Sequence, residues 1–221
     1  MGTLDNHIKK NCDPKMMGLF SLSIKEAYRF FENLKRDNPL LQREEMKKSY
    51  GHMRNGLVDI GLKEVLSSTD FPHKIADKTT SKYRNGYTYL MIEVKGAILT
   101  PVKITKPHYF PRQAAFRSRG SLVNQQYNLF DPPESLNSKY DEENPPFLMI
   151  TYGGSDFRLD FIQLGLPESD ASGWIDRIDI TNAPALIVNR NKIIDDLHLT
   201  FTSEAEKIIR KGDRSVVGEE F

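Results

Sequence analysis

Apolar residues return at helical spacing from Ser23 onward. Ala27, Phe30, Phe31 and Leu34 fall on one face, and Lys25, Arg29, Glu32 and Lys35 on the other. Ser23 with Glu26 three positions later has the reciprocal form of a capping box, and Leu22 can staple onto Ala27, so a helix is predicted from Ser23 to about Asp37. Asn38-Pro39 then stops the chain and restarts it, because asparagine caps well and proline is tolerated in a first turn. A second, more polar helix is expected to weaken around Gly51 or Asn55-Gly56. Leu57, Gly61, Leu62, Val65 and Leu66 carry a third stretch to Ser67.

At Tyr87 the period shortens to two and Tyr, Thr, Ile and Val become common, which marks entry into a sheet. Gly96 reads as a turn and Ala97 to Thr105 as the next strand. A proline-punctuated connector follows from Lys106 to Pro111, then a short helix from Arg112 to Arg119. Asp131 to Pro146, rich in proline and acids, reads as an exposed loop. Phe147 to Tyr152 and Arg158 to Leu166 flank Gly153-Gly154-Ser155-Asp156 as a hairpin, and Ala185 to Asn189 and Leu197 to Thr202 complete the strand candidates. Ser203 and Glu206 open a terminal helix at 204–211 that Gly212 closes.

Together these elements predict an α+β fold, with N-terminal helices packed on a mostly antiparallel sheet of about six strands and a short C-terminal helix. A polar segment at 1–22 precedes a single domain at 23–212, whose helical part is 23–68 and sheet part 87–202, and a tail at 213–221 follows.

Composition narrows the function classes. The chain of 221 residues has 31 basic and 30 acidic side chains, so its net charge of +1 points to neither nucleic acid nor an acidic partner. A lone Cys12 forms no internal bridge or zinc knuckle, which favours a cytoplasmic setting. The first residues are too polar for a secretory signal, and no run of about 18 apolar residues occurs, so a soluble protein without membrane association is expected.

Charge is nevertheless distributed unevenly. Between Glu93 and Asp131 there is no acidic side chain, while Lys95, Lys103, Lys106, Arg112, Arg117 and Arg119 fall in that window with Tyr109, Phe110 and Phe116 among them. Basic groups neutralise phosphates and aromatic faces stack on bases, so this segment suggests a binding protein for DNA or RNA, with Asn124, Gln125 and Gln126 as amides that can read base edges. The residues assigned to that contact are Lys103, Lys106, Tyr109, Phe110, Arg112, Arg117 and Arg119. The plain alternative is a solvated surface whose charges pair with acids such as Asp141, Glu142 and Glu143.

A second constellation ends an apolar strand: Tyr89-Leu90-Met91-Ile92-Glu93-Val94-Lys95. Glu-x-Lys here resembles the PD-(D/E)XK nuclease motif, which implies that an upstream Asp and the Glu hold a divalent metal while the Lys polarises water or phosphate. A hairpin centred on Asn85 would place Asp77 opposite Glu93, so Asp77, Glu93 and Lys95 become the catalytic candidates, with Asp77 and Glu93 as ligands for Mg²⁺. Ala76 stands where the motif has proline, and no other cofactor is expected. A third reading is a protein-interaction or inhibitor module that engages a partner through the 131–146 loop and the Trp174 region.

Remaining features are bland. Gly153 to Asp156 matches no phosphate-binding loop, and His7, His52, His73, His108 and His198 lack ligand spacing.

Overall fold

A computed structural model describes residues 2–80, 88–126, 140, 144–155 and 158–185, without the side chains of 125 and 126. The chain divides into two units, Met1–Leu186 and Ile187–Phe221, and everything described belongs to the first. The strand expected at 197–202, the terminal helix at 204–211, the tail and all but Ala185 of the strand at 185–189 lie outside the described residues.

Four α-helices and a six-stranded sheet make up the described residues, as the predicted α+β class requires. The helices are α1 (Thr3–Asn11), α2 (Met16–Asp37), α3 (Tyr50–Ser67) and α4 (Ala115–Ser121). The strands are β1 (His73–Thr79), β2 (Thr88–Val94), β3 (Ala97–Lys103), β4 (Phe147–Gly153), β5 (Phe161–Pro167) and β6 (Trp174–Asp179), and they lie side by side in chain order. All neighbours are antiparallel except β3 and β4, whose parallel pairing is spanned by a long crossover that contains α4.

Packing overrode two local signals in the helical layer. Met16, Leu19 and Phe20 are buried, which extends the apolar stripe of α2 seven residues upstream of Ser23. Ser23 therefore lies within the helix, and its Oγ donates to the Leu19 carbonyl at 2.7 Å instead of capping an end. The polar segment expected at 1–22 joins the layer as well, through α1 and its buried Leu4, His7 and Ile8.

Asn38 does cap, accepting from the Leu40 amide at 3.0 Å, but the turns it starts are short 3-10 helices at Pro39–Gln42 and Glu44–Ser49 instead of a second α-helix. No break occurs at Gly51 or Gly56: α3 is continuous, and Gly61 brings it so close to α2 that a Cβ there would stand 2.9 Å from the Ser23 carbonyl oxygen.

Both edge strands escape the period-two pattern. In β1 only three of the seven positions are even partly buried, and Lys74 and Lys78 are exposed, a common protection for an edge. Central strands β4 and β5 are buried on both faces, which explains their long apolar runs. Gly96 turns β2 into β3 with φ 77°, and Gly153 ends β4 with φ 154° where a Cβ would stand 1.9 Å from the Ile104 carbonyl oxygen.

Strand alternation sorts the sheet into two faces. Leu90, Ile92, Leu99, Leu148, Ile150, Leu164 and the end residues Lys103 and Tyr152 turn toward α1, α2 and α3. Tyr89, Met91, Val102, Phe147, Met149 and Phe161 turn the other way, under the crossover. No helix among the described residues is long and apolar enough to cross a membrane.

Candidate nucleic-acid interface

The crossover holds most of the basic segment against the face opposite the helices. Its first part is strapped down by Ile104 and Phe110, which pack on Val102, Phe147, Met149 and Phe161. Trp174 Nε1 donates to the Tyr109 carbonyl at 3.3 Å, and Arg177 Nη1 donates to the Pro107 carbonyl at 2.6 Å, so the edge strand β6 also holds the strap. Phe110 and Trp174 rings meet at 4.7 Å, and Gly165 leaves room for the indole: a Cβ there would stand 2.4 Å from it. Phe110 and Trp174 are therefore anchors of the strap. Tyr109 is the ring left open, 44% exposed, with the Lys106 ammonium 5.4 Å from its centroid.

The second part of the crossover is α4. Phe116 is stacked on Tyr89 at 3.9 Å and 18°, and the Arg117 guanidinium lies 4.8 Å from the centroid of the Phe116 ring. Arg117 also donates to the Arg112 carbonyl, which ties the helix to the connector that precedes it. Beside this column a cleft of about 240 Å³ is lined by Thr79, Thr80, Tyr89, Met91, Phe116 and Arg119. Lys106, Arg112 and Arg119 are exposed, and none of them enters an ion pair among the described residues.

Two sequence-predicted contacts are not here. Lys103 points to the helix-covered face, where its half-buried ammonium lies near Arg54, so it does not share a surface with Lys106, Arg112, Arg117 and Arg119. Asn124 is fully buried: its Nδ2 donates to the carbonyls of Phe147 at 2.9 Å and Pro167 at 3.1 Å, and its Oδ1 accepts from the Phe147 amide at 2.9 Å. Its amide is fully used in docking the end of the crossover and is not available to a base edge. Side chains of Gln125 and Gln126, and the acids Asp141 to Glu143, lie outside the described residues.

Asp77, Glu93 and Lys95 do not assemble. The β1–β2 register pairs Asp77 with Leu90 and Glu93 with Lys74, three positions away from the pairing expected about Asn85. An odd slip exchanges the faces of the sheet, so the two carboxylates project on opposite sides. Asp77 faces α3, where the Lys63 ammonium binds both its oxygens at 2.9 and 2.8 Å. Lys95 sits beyond the end of β2 in the turn to β3. No group of three His, Cys, Asp or Glu side chains suited to a metal occurs among the described residues.

Several groups with perturbed chemistry escaped the sequence reading. Arg54 is 1% exposed, between the rings of Tyr28 and Phe31 at 5.6 and 5.0 Å. Its legible signal is position, since Tyr50, Arg54, Val58, Gly61 and Val65 form one helical stripe. Asp59 has its pKa raised to about 6 by burial, with the Asp77 charge adding to the rise and Lys63 opposing it. His7 is buried, its Nε2 donating to the Gly96 carbonyl at 2.9 Å and its Nδ1 accepting from Asn11 at 3.0 Å, and burial lowers its pKa.

Comparison with protein-family models, with curated proteins and with solved structures returns no match for this chain.

Proposed function

We propose that the protein binds nucleic acid through the outer surface of the β3–β4 crossover, with Lys106, Arg112, Arg117 and Arg119 on phosphates and Tyr109 stacking on a base. One observation carries this reading: Lys106, Arg112 and Arg119 are solvent-exposed with no ion pair among the described residues, on a segment fastened to one face of the sheet beside an open tyrosine ring. Charges held in this way release counterions from a phosphate backbone without first breaking an internal salt bridge. A cytoplasmic setting goes with it, since Cys12 is buried and has no partner cysteine to need an oxidising compartment. Asp77 and Glu93 have no part in the proposal, because they project from opposite faces of the sheet.

Fluorescence anisotropy with single-stranded DNA and RNA of mixed sequence, repeated across a salt series, tests it. Binding should weaken steeply with salt, and each of Lys106→Ala, Arg112→Ala and Arg119→Ala should reduce the slope of log K against log salt by roughly 0.7 for a single strand. No binding at low ionic strength, or an unchanged slope in the triple variant, overturns the reading.

A further inference from the structure

The cleft beside α4 has an apolar wall and a polar rim. Phe116 and Tyr89, stacked on each other, and Met91 form the wall, and all three are buried or half-buried. Thr79, Thr80 and Arg119 form the rim, and all three are exposed. Gly120 also lines the cleft, and a Cβ there would stand 2.7 Å from the Phe147 ring, so the helix backbone rests directly on β4 at that point. At about 240 Å³ the space is smaller than the roughly 300–1,000 Å³ that encloses a drug-sized ligand, and it suits a single ring system.

Charge at the rim selects among planar rings. Lys78 is the register partner of Tyr89, which places it on the same face of the sheet as the ring. Lys78 and Arg119 are both exposed, and neither enters an ion pair among the described residues. No carboxylate lines the cleft among those residues, and the acid on this face of β2, Glu93, lies beyond Met91 opposite Lys74. A bare phosphate would leave the aromatic wall unused, and an uncharged ring would leave the cations unused. A base that carries a phosphate uses the wall, the cations and the threonines, whose hydroxyls both donate and accept.

We infer that the cleft is a pocket for one nucleoside monophosphate unit, free or as one residue of a single strand. The base lies against Tyr89 and Met91, Thr79 and Thr80 hydrogen-bond its edge, and Arg119 and Lys78 hold its phosphate. The strand form rests on the nucleic-acid reading above, which already assigns Arg119 to a phosphate, and the free form does not. Tyr109 is fastened to β6 at the far edge of the sheet, four strand spacings from β2 or roughly 20 Å, so a single nucleotide in the cleft does not reach it.

Isothermal titration of the full chain with the four ribonucleoside 5′-monophosphates, beside anisotropy with a labelled single-stranded oligonucleotide, tests it. The wild type should bind at least one monophosphate saturably, at one site per chain and roughly tenfold more tightly than ribose 5-phosphate, which has no base. Ala115→Trp, at an exposed position of the lining, fills the cleft and should abolish this binding, and Thr80→Trp at the rim should do the same. Lys78→Ala with Arg119→Ala should bring the nucleotide down to the affinity of its nucleoside. A loss of oligonucleotide affinity of roughly 5- to 100-fold in Ala115→Trp assigns the strand as the source, and loss of the mononucleotide alone assigns the free nucleotide. An oligonucleotide that binds wild type and Ala115→Trp alike, where no monophosphate binds, overturns the cleft and leaves the strap surface standing. Monophosphate binding that Ala115→Trp abolishes, in a protein that binds no oligonucleotide, overturns the strap surface and upholds the cleft. Ribose 5-phosphate bound as tightly as the nucleotides also overturns the cleft.

Discussion

The two faces of the sheet are covered by different means. On one, α2 and α3 lay long apolar stripes over Leu90, Ile92, Leu148 and Ile150, with the Arg54 guanidinium buried against rings and the Asp77 carboxylate bound by Lys63. On the other, a mostly irregular crossover is fastened at a few points, by Phe110 against Trp174, Phe116 on Tyr89, and Asn124 on the ends of β4 and β5. A helical layer satisfies its own backbone and can be almost wholly apolar on its inner side. An irregular strap must be held by individual anchors, and its remaining side chains face water. That difference is why uncompensated cations collect on the strap, and why a cation that turns to the helical side, Lys103, meets such a different environment.

The largest expected effect separates the two coverings directly. Phe31 is wholly buried between Arg54 and Tyr50, so Phe31→Ala should cost about 3–5 kcal/mol in urea unfolding. Phe110 is only partly buried, and Phe110→Ala should cost roughly half as much or less. Equal losses would mean that the strap contributes to the core as a helix does.

Next in size is the docking amide. Asn124→Ala leaves the Phe147 amide and two carbonyls without partners, which should cost about 2–3 kcal/mol. Asn124→Asp keeps the acceptor but loses the donors, and it should recover only part of that loss. Full tolerance of Asn124→Ala would free this amide for the base-reading role that its position in the sequence suggested.

A smaller effect probes the helical side. Because folding raises the Asp59 pKa from its ordinary 3.8 to about 6, the stability it contributes is present below pH 3.8 and lost as pH rises through about 6. At pH 8 the charged form is held at a cost, so Asp59→Asn should stabilise the protein by roughly 1–2 kcal/mol after allowance for partial exposure, and the gain should vanish near pH 4. Stability measured across that range decides it: a gain independent of pH would place the cause in packing instead of desolvation.

Much of the fold was legible in the chain. Period-two runs located β2 and β3, apolar runs about a glycine turn located β4 and β5, glycines located the turns at Gly96 and Gly153, and α2 and α3 end at Asp37 and Ser67 where their stripes stop. The edge strands were not legible, because β1 and β6 bury too little of either face to show alternation. Capping at Ser23 misled for a related reason: a cap signal is local and worth about 1 kcal/mol, while the buried Met16, Leu19 and Phe20 are each worth more.

What the amino-acid order determined alone is the list of chemistry along the crossover: a stretch without acids, its cations, and the rings among them. Tertiary structure decided which of those groups share a surface. Direction along a strand depends on pleat parity and on which face the helices cover, so Lys103 parted from Lys106, and an odd shift of register parted Asp77 from Glu93. Neither parity nor register is carried by any single residue; each is settled by which set of apolar side chains is drawn out of water when the layers close.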